Sequence, residues 1–199
     1  MTQNLKAASR TAAFAWVIFS YLIAILLGTA VGYWAAQAGH HIMVAIAIAD
    51  IVATLIIFAF SYLFDNSSFY DPYWSVIPIV IVAFLTYMGL ETEAQPMRIF
   101  MLLGLVSLWG IRLTFNWARG WQGLHHQDWR YVDLQEKHGK FYWLVSFSGI
   151  HFFPTMLVFM GCLALYPAMM LEGKSINILD LLAFIVTFGA IIIEFTADE

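Results

Sequence analysis

The stretch WGIRLTFNWARGWQGLHHQDWRYVDLQEKHGK, Trp109 to Lys140, gathers most of the side chains that could do chemistry. Arg112, Asn116, Arg119 and Gln122 follow one another at steps of four, three and three residues. A helix therefore stacks them on one face, with Trp109, Phe115, Trp117 and Trp121 packed around it. An ionisable residue inside a membrane span is costly and faces a cavity or a partner, which makes Arg112 a site candidate. Arg112 also stands near one end of its span, where a guanidinium can snorkel to the headgroups beside tryptophans. Both readings are open on spacing alone.

Gly120 and Gly123 break that helix, and Asp128 can cap a short second one that ends at Gly139. The exposed face of the second helix is expected to pair Asp133 with Lys137 and Glu136 with Lys140. Within it, DWRY sets Arg130 and Tyr131 beside an acid, a combination that could hold the phosphate and ribose of a nucleotide or simply line a solvated face. His125, His126 and Asp128 invite a metal, but adjacent histidines diverge and no third one stands at helical spacing, so no metal site is expected. His151, alone in SGIHFFPT, reads as a satisfied core histidine or a helix-helix hydrogen bond, and Asp50 as a buried bundle contact. Cys162, the single cysteine, excludes an internal disulfide and reads as an inert core thiol.

The elements that must position these residues belong to a membrane. Of 199 residues, 62% are hydrophobic and 11% charged, far from the soluble average of roughly 45–50% and 25%. The net charge of -4, with no extended basic face, argues against nucleic acid. Six segments approach the roughly 20 residues that cross a bilayer: Phe14 to Ala36, Ile42 to Phe64, Trp74 to Leu90, Ile99 to Ala118, Trp143 to Met170 and Ile178 to Phe195. The expected fold is all-α, a polytopic helix bundle of about six transmembrane helices forming one membrane domain over residues 1–199, with an interfacial loop and helix over 119–141. Pro78 should shorten or kink the third span, and Pro154 and Pro167 the fifth. The first apolar run is long enough to stay as an anchor rather than be cleaved as a signal.

Lys and Arg set the orientation. With the N-terminus in the cytoplasm, Lys6, Arg10, Arg119, Arg130, Lys137 and Lys140 are all cytoplasmic, against Arg98 and Lys174 outside. Both termini are therefore expected inside, in a bacterial inner membrane or one of the endoplasmic reticulum type. Gly28 and Gly32 form a small-xxx-small pair that can seat a helix crossing. Asn66-Ser67-Ser68 is a glycosylation sequon on the wrong side for glycosylation. The chain closes on IIIEFTADE, whose acids crowd the end of a helix that already carries about half a negative charge, and the segment from Asn177 onward supplies no cation.

DPYWSVIP at Asp71 to Pro78, RLTFNWARGWQGL at Arg112 to Leu124, DWRYVDL at Asp128 to Leu134 and the closing IEFTAD resemble the integral-membrane family grouped with the steroid 5-alpha-reductases, the domain-of-unknown-function 1295 group. The similarity runs from about residue 40 to the end. It implies a membrane-embedded reductase that passes hydride from NADPH to a carbon-carbon double bond conjugated to a carbonyl, in a lipid or steroid-like substrate. It makes Arg119, Asp198 and Glu194 cofactor contacts, with Arg112, Asn116, Asp128, Arg130 and Tyr131 as further candidates, and Asp71 the acid near the substrate carbonyl. Where the family's pattern has a tyrosine three residues before the span's arginine, this chain has Trp109, and an indole cannot deliver a proton as a phenol can. The family also continues beyond the closing acids into a basic segment and further spans. On that comparison the chain is the front part of the fold, of low or no activity alone. The alternative is a noncatalytic membrane protein or interaction module keeping that front half. Implied partners are the bilayer and a hydrophobic small molecule, with no metal and no nucleic acid.

Overall fold

Long apolar runs and the capping residues between them divide the chain into helices. The computed structural model describes residues 9–173 and 175–198. Lys6, Lys174 and Glu199, which entered the charge reading, lie outside them. In order come α1 (Arg10–Gln37), α2 (Ile42–Phe64), a 3-10 turn (Ser67–Phe69), α3 (Tyr73–Gly89), α4 (Pro96–Gly120), α5 (Trp129–His138), a 3-10 turn (Gly139–Phe141), α6 (Tyr142–Val145), a π-helical segment (Ser146–Phe152), α7 (Phe153–Cys162), α8 (Leu165–Met170) and α9 (Ile178–Ala197). Among the described residues there is no strand. Six helical runs are long and apolar enough to cross a membrane, and the chain is an all-helical, multi-pass integral membrane protein.

Pro78 does not end the third span. It lies in the second turn of α3, and the helix continues to Gly89. The fifth run is broken as its prolines suggested, with the π segment just ahead of Pro154 and a turn separating α7 from α8, which carries Pro167.

The helices form two compact units. The first takes the described residues up to Trp74 together with Gly120–Phe159. In it α1 and α2 cross at the small residues: a Cβ on Gly28 would lie 2.7 Å from the Ala49 carbonyl oxygen, and one on Gly32 2.9 Å from Ala49 Cβ. Gly28→Leu should therefore force the helices apart and destabilise the chain by about 1–3 kcal/mol. Denaturant unfolding in nanodiscs measures this, with Gly104→Ala, where nothing lies within 4 Å, as the neutral comparison.

Buried hydroxyls pin the interior of this unit. The Tyr73 hydroxyl donates to Asp50 at 2.8 Å. Thr54 meets Thr155 at 2.9 Å, and Tyr70 meets Thr155 at 2.8 Å. His151 is fully buried. The Ser146 carbonyl can only accept, so His151 Nδ1, 3.0 Å away, carries the hydrogen, and Nε2 accepts from the Ser61 hydroxyl at 3.0 Å. In hydrocarbon each of these groups would be expensive without its partner. Asn66 is buried too: its amide donates to the Leu124 and His126 carbonyls at 3.0 and 3.1 Å, so it ties the loop after α4 to the end of α2.

The second unit takes Ser75–Arg119 and the described residues from Met160 on. Gly110 of α4 packs against the backbone of α3, where a Cβ would collide with the Ser75 carbonyl. Beside it the Ser75 and Thr114 hydroxyls meet at 2.9 Å. Of the 20 residues of α9 only Ile191 is buried.

Candidate functional site

In the second unit, α4 carries Arg98, Leu105 and Arg112 at seven-residue steps, and α9 carries Asp180, Thr187 and Glu194 at the same steps. Arg98 forks onto Asp180, Nε to Oδ1 at 2.7 Å and Nη2 to Oδ2 at 3.0 Å. Fourteen residues further along both helices, Arg112 Nη2 donates to Glu194 and Nη1 to Asp198 Oδ2 at 2.5 Å. The two helices thus run parallel and in register, with ion pairs about 21 Å apart at 1.5 Å per residue. The Asn116 amide donates to Asp198 at 3.2 Å, and Arg119 Nη2 donates to the Asn116 carbonyl oxygen at 3.2 Å.

The Arg112 side chain is 9% exposed, against 49% for Glu194 and 39% for Asp198. The guanidinium is held by these two carboxylates. Its Nε is buried and has no hydrogen-bond partner among the described residues. The closing acids also do not lack a cation. Arg112 supplies it from α4, which matches what the C-terminal end of a helix recruits.

Between the two ion pairs α4 and α9 leave a cleft of about 300 Å³, lined by Leu105, Val106 and Trp109 on one side and Thr187, Ala190, Ile191 and Glu194 on the other. Asn116 and Arg119 do not line it.

The first unit brings together the other candidates. Asp128 caps α5, accepting from the Arg130 backbone N–H at 2.9 Å. The Arg130 guanidinium folds back onto the same carboxylate, Nε at 2.8 Å and Nη2 at 2.9 Å. That guanidinium holds the Asp128 carboxyl below the usual carboxylate range. The pairing therefore stabilises the fold above the ordinary aspartate pKa and is lost as the pH falls through the depressed value. With the Arg130 side chain 61% exposed, its contribution is small. The Tyr131 hydroxyl donates to Asp71 Oδ1 at 2.6 Å. The loop before α5 is pinned by Arg10 Nε to the Trp121 carbonyl at 2.9 Å, Trp121 Nε1 to the His126 carbonyl at 3.0 Å, and the Asp128 N–H to the Ser68 hydroxyl at 3.1 Å.

On α5, Lys137 and Asp133 pair at 2.7 Å. The expected Glu136–Lys140 pair does not form, because Gly139, at φ 48°, ends the helix, and Lys140 lies in the next turn over the Phe141 ring at 5.2 Å. Among the described residues no group of three His, Cys, Asp or Glu could hold a metal ion.

Arg112, Asn116, Arg119, Glu194 and Asp198 thus form one cluster, and Asp71, Asp128, Arg130 and Tyr131 another. The Arg98–Asp180 pair and the Asp71–Tyr131 bond were missed from sequence. The first has a readable signal, since the same fourteen-residue step separates the two arginines and the two acids. The second joins residues sixty positions apart and has none.

A family model described as "Protein of unknown function (DUF1295)" matches residues 57–199. An uncharacterized protein of Schizosaccharomyces pombe is 25% identical over 137 residues, which cover 67% of this chain and 40% of that protein. The matched stretch spans less than half the length of that relative. No solved structure matches the chain. With the family model covering most of its length, the chain belongs to the DUF1295 family.

Proposed function

We propose that the chain is a reductase-like membrane protein whose α4–α9 cluster binds NADPH and whose substrate is a hydrophobic molecule with a carbon-carbon double bond conjugated to a carbonyl. The observation that carries this is the stack of Arg112, Asn116 and Arg119 on one face of α4 opposite Glu194 and Asp198. Its donor and acceptor set fits a dinucleotide. The exposed Arg119 is a donor for phosphate oxygens, and the half-exposed carboxylates are acceptors for ribose hydroxyls. Bound there, NADPH would supply the hydride. The reduction also takes up a proton, which the Trp109 indole cannot give and water supplies. In the first unit Asp71 accepts from Tyr131, and Arg130 with Asp128 orders the start of α5.

One observation favours a noncatalytic reading: the Arg112 and Arg130 guanidiniums already pair with carboxylates of the chain itself, as in a purely structural staple. NADPH oxidation against a panel of enones in nanodiscs separates the two. The assay uses the 199-residue chain beside the same chain extended by a longer relative's C-terminal part. Positioning is worth up to about 7–11 kcal/mol of a barrier, and a cluster whose acids are half exposed positions poorly. Enone-dependent oxidation is expected in the extended form and a much lower rate in the shorter one. No oxidation by either form across the panel supports the noncatalytic reading.

A further inference from the structure

We draw no further inference here: the strongest candidate, the buried Asp50 carboxylate that accepts from the Tyr73 hydroxyl between α2 and the start of α3, carries nothing because nothing in the structure shows what its second oxygen meets.

Discussion

Arg112→Ala is expected to unfold or loosen the second unit by about 3 kcal/mol, the lower part of the range for breaking a buried ion pair, because its two carboxylates are half exposed. The loss comes less from the attraction removed than from what is left behind. Glu194 and Asp198 would then share the C-terminal turn of α9 with its unpaired carbonyls and no cation. Arg112→Lys should recover part of the stability, since one ammonium cannot fork to two carboxylates. Arg112→Met combined with Glu194→Gln and Asp198→Asn should recover most of it, because a neutral seam carries no uncompensated charge. Denaturant unfolding in nanodiscs checks the series. A triple variant as unstable as Arg112→Ala would show that packing of the arginine stem, rather than its charge, holds α9.

Tyr131→Phe should lower the stability of the first unit by only about 1 kcal/mol, the net worth of one hydrogen bond, because the ring remains. Asp71→Ala should cost more, about 1–3 kcal/mol, since it leaves the part-buried phenol without its acceptor. Denaturant unfolding in nanodiscs is the measurement. Unchanged unfolding of both variants would show that the Asp71–Tyr131 bond does not tie the turn before α3 to α5.

Much of this architecture was legible in the sequence because it is local. Apolar length marks the six spans, Asp128 two residues before Arg130 marks a cap, and Gly139 marks a helix end at a positive φ. The stripe of Arg112, Asn116 and Arg119 was visible because helical spacing alone stacks it. Its partners were not, because Glu194 and Asp198 come from a helix more than eighty residues away and reach Arg112 only through packing. That is also why the closing acids looked uncompensated when judged by their neighbours in the chain. A proline in the second turn removes one hydrogen bond near the start of a helix, and the apolar run after it is long enough to continue.

The central claim is that the α4–α9 cluster is an anion-binding anchor for NADPH, and calorimetric titration of NADPH into the nanodisc-held extended form tests it most directly. The account predicts saturable binding that Arg119→Glu weakens about tenfold or more, by placing a carboxylate where a phosphate contact is needed, while Arg130→Glu in the other unit changes it little. Equal weakening by both variants, or the absence of saturable binding, would contradict it.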